Sequence, residues 1–264
     1  MSQSSQGVGA PSFRAEQRGA LLIVTLDRQA RRNALDDSAI LEIEAIFSSI
    51  PDSVRCAVLH GEGANFSAGL DLSELTERDV VQGIAHSMMW HRAFETIQFG
   101  KVPVVAVMRG AVIGGGLELA CATHVRVAEK SAYYALPEGQ RGIYVGGGAS
   151  VRLPPLIGVS RMMEMMLTGR VYNADEGQSL GLSHYVVDDG AGLARGIELA
   201  EKIAGNAPMT NFALVHALPR IAGADPATGF LAEALMAAAA QGSDEAKKRL
   251  RDFLEKRAPK VVAS

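Results

Sequence analysis

The sequence predicts an α/β fold, one core of interleaved strands and helices followed by a helical C-terminal region. Three observations carry that prediction. Short aliphatic runs of strand length alternate with stretches of helical period as far as Val187. Beyond Ala191 no run reads as a strand, and Pro208, Pro219 and Pro226 cut the chain into helices. The 264 residues are 48% apolar and 21% charged, which is a globular balance rather than a disordered or rod-like one.

The elements follow in order. Met1–Pro11 is rich in Ser, Gln and Gly, without the basic and apolar regions of a secretory signal, and reads as a frayed tail. Leu21–Leu26 is the first predicted strand, and Arg28, Arg31 and Arg32 lie in the loop after it. Ile40, Ile43, Ile46, Phe47 and Ile50 fall at helical spacing, with Asp36 or Asp37 as cap and Pro51 as stop. Val54–Leu59 is a second strand, Val81–Phe99 a helix and Val102–Met108 a buried-type strand. A loop over Gly110–Gly116 then opens a helix reaching about Ala122. His124–Ala128, Ala132–Leu136 and His184–Val187 read as short strands, with helices near 146–153, 160–167 and 174–180. Four more helices are expected near 191–206, 209–221, 226–241 and 244–257. The predicted division is a tail over 1–12, a core over 13–200 and a helical subdomain over 201–264.

Charge and composition narrow the function. A net charge of −3 argues against nucleic acid or an anionic membrane as partner. No run of about 18 apolar residues occurs, because Arg109, several glycines and Glu118 interrupt the best stretch. Cys56 and Cys121 sit in apolar runs and read as reduced, buried thiols, which fits a cytoplasmic compartment. The six histidines show no metal-ligand spacing, so no metal site is expected. Gly-x-Ser-x-Gly is absent, and with it the usual hydrolase elbow. Met162–Met166 reads as helix core.

Glycine is the compositional outlier, with 28 residues, and twelve of them lie in three clusters. The first cluster, Gly61-Glu-Gly-Ala-Asn-Phe-Ser-Ala-Gly-Leu-Asp-Leu72, follows a strand, but Phe66 stands where a dinucleotide fingerprint needs its third glycine. The second, Arg109-Gly-Ala-Val-Ile-Gly-Gly-Gly-Leu-Glu-Leu119, opens a helix without the Lys-Ser/Thr of a phosphate loop. Bare N–H groups there suit a negative oxygen, such as that of a polarised thioester; a tight turn with close packing is the plainer alternative. The third runs from Gly139 to Gly148, just after Glu138. Glu118 and Glu138 thus both stand beside glycine clusters. Each alone is an ordinary helix-start or loop acid. Facing one apolar pocket, the two would raise each other's pKa and serve as acid and base.

Taken together these motifs resemble the crotonase (enoyl-CoA hydratase/isomerase) superfamily from about Leu21 to Lys260. The pieces occur in order: Arg31-Arg-Asn-Ala-Leu35, Phe66-Ser-Ala-Gly-Leu-Asp-Leu72, Gly114-Gly-Gly-Leu-Glu-Leu119, Pro137-Glu138 with Gly142, Leu167-Thr-Gly-Arg170, Ala174 to Leu182, and Phe253-Leu-Glu-Lys-Arg257. The resemblance implies a spiral of β-β-α units and a C-terminal helical region that mediates trimerisation, often into a dimer of trimers. It implies an acyl-CoA thioester as substrate and no separate cofactor. By position it matches the backbone N–H groups of Ala68 and Gly115 to an oxyanion hole, and Glu118 and Glu138 to two catalytic acids. Keeping both acids favours enoyl-CoA hydration over Δ3,Δ2-enoyl-CoA isomerisation by Glu138 alone, or a non-catalytic acyl-CoA-binding trimer. Arg28, Arg31, Arg32, Ala68, Asp71 and Leu72 are the expected coenzyme A contacts, with the basic C-terminal helix (Lys247, Lys248, Lys256) as a further source of cations. Leu70, Met89, Trp90, Tyr144 and Val145 are the expected acyl-pocket residues, with Met88 and Phe94 nearby. Leu70, Val145 and Gly139-Gln-Arg141 depart from the family pattern, which leaves the acyl group open.

Overall fold

The computed structural model describes residues 11–71 and 77–255. Its core is a six-stranded sheet in the order β1-β2-β3-β4-β6-β9. The strands are β1 (Phe13–Arg18), β2 (Leu21–Leu26), β3 (Cys56–Gly61), β4 (Val104–Met108), β6 (Val125–Glu129) and β9 (Tyr185–Val187). Only the β1–β2 pair is antiparallel; from β2 to β9 the neighbours are parallel. A parallel sheet needs cover on both faces, and its strands here are continuous aliphatic runs. Alternation sorts them: Ala57, Leu59, Val104, Ala106 and Met108 face the main core. Val58, Val105 and Val107 face the opposite side, under α8 (Gly192–Ala204). α8 lies close because Gly196 has no Cβ; one there would sit 2.4 Å from a Val107 methyl.

The second sheet is small: β5 (Ala111–Ile113), β7 (Tyr133–Ala135) and β8 (Tyr172–Asn173). An isolated bridge from Ser67 to Val112 extends it. One unit therefore recurs. A strand in the large sheet leads to a shorter strand in the small sheet and then to a helix: β4, β5 and α3 (Gly115–Cys121), then β6, β7 and a 3₁₀ turn (Pro137–Arg141). The repetition winds the chain into a spiral. The small layer carries the glycine loops to one end of the large sheet.

α1 (Asp37–Ser48) is capped by the Asp36 carboxylate, which accepts from Ala39 N–H, and it packs on α2 (Val80–Gln98). α2 starts with a capping box between Asp79 and Gln82. Three short helices follow the third glycine cluster: α4 (Ala149–Arg152), α5 (Pro154–Ile157) and α6 (Val159–Thr168). α7 (Ala174–Leu180) leads to β9. The C-terminal helices are α9 (Pro208–Phe212), α10 (Leu218–Ala222), α11 (Pro226–Gly242) and α12 (Asp244–Leu254).

Several expectations are corrected. β1 is absent from the sequence reading because only Phe13 of its six residues is buried, so no apolar pattern marks this edge strand. Ser12, assigned to the tail, is buried and its N–H donates to Glu42 at 2.7 Å; residues 1–10 lie outside the described residues. The loop over Gly110–Gly116 contains β5. The predicted helix at 209–221 carries a π-type turn at Ala213–Ala217, just before Pro219, which has no N–H to continue the regular ladder. Among the described residues no helix is long and apolar enough to cross a membrane.

Candidate active site

The site begins with a strained turn. Arg32 and Asn33 have positive φ (53° and 57°) without being glycine. Asn33 is fully buried, and its amide donates to the carbonyls of Glu62 (2.9 Å) and Asn65 (2.7 Å). Ser67 Oγ donates to the Asn33 carbonyl at 2.7 Å. These bonds fix the first glycine loop against the arginine turn.

That fixation decides which N–H groups are available. Ala68, expected as an oxyanion donor, donates its N–H to the Arg32 carbonyl at 3.0 Å. Three residues on, Asp71 N–H donates to Leu35 O and Leu35 N–H to Gly69 O, so the intervening Leu70 N–H points away from that bridge. Leu70 N–H and Gly115 N–H have no acceptor among the described residues. The loops that carry them touch: a Cβ on Gly69 would lie 3.2 Å from Gly115 N and 2.5 Å from Ile113 O. Gly69 (φ 88°) is therefore required both by its conformation and by this approach. The geometry moves the expected donor from Ala68 to Leu70 and keeps Gly115.

Glu118 lies in the first turn of α3 and is almost fully buried. Its Oε1 accepts from Gly147 N–H at 2.8 Å and Ala149 N–H at 3.0 Å. Burial raises its pKa against the pull of those two N–H groups and of Arg152. Arg152 is itself held by Gly147 O (2.8 Å) and Gln98 (2.6 Å). Glu138 sits in the 3₁₀ turn, and its buried Oε2 has no hydrogen-bond partner among the described residues. Burial pushes its pKa up to about 7, and the negative charge of Glu118 adds to the rise.

The glycine clusters make room for these carboxylates. A Cβ on Gly114 would lie 2.6 Å from Glu138 Oε1, and one on Gly147 would lie 2.9 Å from Glu118 Oε2. A Cβ on Gly115 would strike the Trp90 ring at 2.7 Å.

Both carboxylates, both free N–H groups and Trp90 line one cavity of about 350 Å³. Leu70, Tyr144 and Val145 line it as expected. Met89 does not; it is half-buried and packs on the main core, and Phe94 is wholly within that core. Met88 is exposed and lines no described cavity. A second cavity of about 410 Å³ joins the first along Ala68, Leu70, Ile113 and Arg141, and adds Arg31, Arg32, Ala34 and Asp71.

Of the expected coenzyme contacts, Arg31, Arg32, Ala68 and Asp71 line this second cavity. Arg31 also pairs with Asp71 at 2.7 Å, and Arg32 donates to the Tyr133 hydroxyl at 2.7 Å. Arg28 does not line it, because its guanidinium is taken up by Ala34 O, Asp36 and Asp71. Lys247 and Lys248 line neither cavity, and Leu72 and Lys256 lie outside the described residues. The sequence reading missed Arg78, His86 and Ser87, which line the first cavity. No motif marks them: α2 reads as an ordinary helix, and only its packing turns this side inward. Among the described residues no group of three or more His, Cys, Asp or Glu is placed to hold a metal ion.

Known proteins resemble this chain over most of its length. A family model described as enoyl-CoA hydratase/isomerase matches residues 16–262. Enoyl-CoA hydratase EchA19 of Mycobacterium tuberculosis is 32% identical, over 94% of this chain and 96% of its own length. A crystal structure from Rhodopseudomonas palustris, provisionally named an enoyl-CoA hydratase, is 55% identical with a TM-score of 0.91, covering 93% of this chain and 95% of that one. A provisionally named enoyl-CoA hydratase from Thermobifida fusca, solved in complex with acetoacetyl-CoA, is 26% identical with a TM-score of 0.79, covering 86% of this chain and 94% of that one.

Proposed function

The chain belongs to the enoyl-CoA hydratase/isomerase family, and from that premise we propose that it adds water reversibly across the 2,3 double bond of a 2-enoyl-CoA. One observation carries the reading: two buried carboxylates and two backbone N–H groups without an acceptor among the described residues share a single cavity. The thioester oxygen accepts from Leu70 and Gly115 N–H. As the water oxygen bonds to C3, the double-bond electrons move toward the carbonyl and enolate charge collects on that oxygen. Preorganised donors there are worth roughly 3–4 kcal/mol each. Glu118 takes one water proton as the C3–O bond forms, and Glu138 delivers a proton to C2. Glu118 then releases the water proton and Glu138 takes one up through solvent, so over the cycle water supplies both added groups and no oxidant or reductant is needed.

The roles suit the environments. Glu138, pushed up to about 7 by burial, holds a proton to give near neutral pH. Glu118 keeps two N–H donors on one oxygen, which favours its charged form against burial. The coenzyme lies along the second cavity, where Arg31, Arg32 and Arg141 offer cations to its phosphates. The test is the conjugated absorbance of a short 2-enoyl-CoA. It should fall on adding enzyme, with kcat/KM declining as pH rises past about 7 because Glu138 then loses its proton. Unchanged absorbance across short and medium chains, despite thioester binding, would sink the hydratase reading.

The same proposal covers assembly. α11 and α12 expose Phe230, Leu231, Leu235, Leu250 and Phe253, an apolar surface suited to contact between copies of the chain. Light scattering should give the mass of three or six chains; the mass of one chain at micromolar concentration would refute it.

A further inference from the structure

The two cavities divide the site into ends. The residues they share, Ala68, Leu70, Ile113 and Arg141, mark the junction where the thioester sits. Arg78, His86 and Ser87 line the first cavity only, so they belong to the end that receives the acyl group. That end is not built for a plain hydrocarbon. Arg78, His86, Ser87 and Tyr144 line it beside Ile143 and Val145. The Arg78 side chain is 23% exposed, so most of its surface is turned away from water. Asp37 does not line the cavity. It stands behind the polar end, 2.8 Å from His86 Nε2 and 3.9 Å from Arg78. That contact fixes the imidazole, and the guanidinium stands at ion-pair range of the same carboxylate while its residue lines the cavity. Among the described residues the carboxylates that line the cavity are Glu118 and Glu138, which the hydration reading assigns to the reacting atoms.

We propose that the acyl group carries a carboxylate at its far end, received by Arg78 with His86 and Ser87 beside it. The proposal rests on the hydration reading for where the thioester and double bond lie. It adds the substrate class: 2-enoyl-CoA thioesters of dicarboxylic acids. A guanidinium pairs with a carboxylate through two parallel N–H bonds, which an alkyl terminus cannot accept.

The test uses saturated thioesters, which bind without reacting. Titration calorimetry on the full-length protein would compare adipyl-CoA, ending in a carboxylate, with hexanoyl-CoA, ending in a methyl. Adipyl-CoA should bind at least about tenfold more tightly. Arg78→Met should bring the ratio close to one, and Arg78→Lys should keep part of it. Equal or tighter binding of hexanoyl-CoA by the unaltered protein would overturn the proposal. So would an Arg78→Met variant that weakens both ligands alike, since that marks a merely structural arginine. A failure of hydration itself leaves the calorimetric ratio intact, so the two readings fail separately. If neither saturated thioester binds, both fall.

Discussion

Glu118→Gln is expected to lower hydration of a short 2-enoyl-CoA by about 10³-fold, with far less effect on conversion of a 3-enoyl-CoA to its 2-enoyl isomer. Glutamine keeps an oxygen that can accept from Gly147 and Ala149 N–H, so the loop over the third glycine cluster stays in place. What is lost is the base that takes the water proton. Isomerisation needs only one shuttle, and Glu138 is still there to serve. The substitution also removes the negative charge that helps raise the Glu138 pKa. The alkaline limb of any remaining activity should therefore move to lower pH. Stopped-flow absorbance on both thioesters, across pH 5 to 9, reads each effect. Hydration within tenfold of the unaltered enzyme would show that Glu118 is not the base.

Glu138→Gln should lower hydration by about 10²–10⁴-fold and stabilise the protein at alkaline pH. The two effects share one cause. Burial lifts the Glu138 pKa from 4.5 to about 7, so the folded state binds this proton more tightly than the unfolded chain. That stabilisation is complete below pH 4.5, and is lost as pH rises through about 7. Above pH 7 the unaltered protein carries a buried charge whose Oε2 has no hydrogen-bond partner among the described residues. The shift corresponds to about 3 kcal/mol as an upper bound, because ligand and water contacts reduce it. The variant's advantage in Tm should thus grow between pH 5 and pH 8, as measured by calorimetry. A Tm difference that stays constant over that range would mean that Glu138 is not held neutral by the fold.

What the residues disclosed before folding, and what they hid, divides along physical lines. β2, β3 and β4 were legible because a sheet covered on both faces must be written as unbroken aliphatic runs. β1 was not, since an edge strand exposes five of its six residues and needs no apolar signature. The carboxylate pair was legible through its setting: both acids stand beside glycines, and in the fold those glycines leave space for them. The oxyanion donors were half legible. Gly115 opens a helix, where free N–H groups are expected. The other donor depends on a turn far back in sequence, where the left-handed Arg32 lends its carbonyl to Ala68, and Leu70 N–H has no acceptor among the described residues. No local pattern records such a pairing. Arg28 lies off the second cavity for a related reason: its partners, Ala34, Asp36 and Asp71, come together only in the folded loop.

Trp90 gives the site one more property. It is the chain's only tryptophan, and its six-membered ring lies where Cβ atoms on Gly115 and Gly147 would be, about 3 Å from each. Its buried indole N–H has no acceptor among the described residues. All near-ultraviolet emission excited at the red edge therefore comes from one ring on the wall of the reaction chamber. The colour and quenching of that light report how wet the chamber is. Occupancy can be followed in real time by fluorescence, with no dye or label attached and no second tryptophan to subtract.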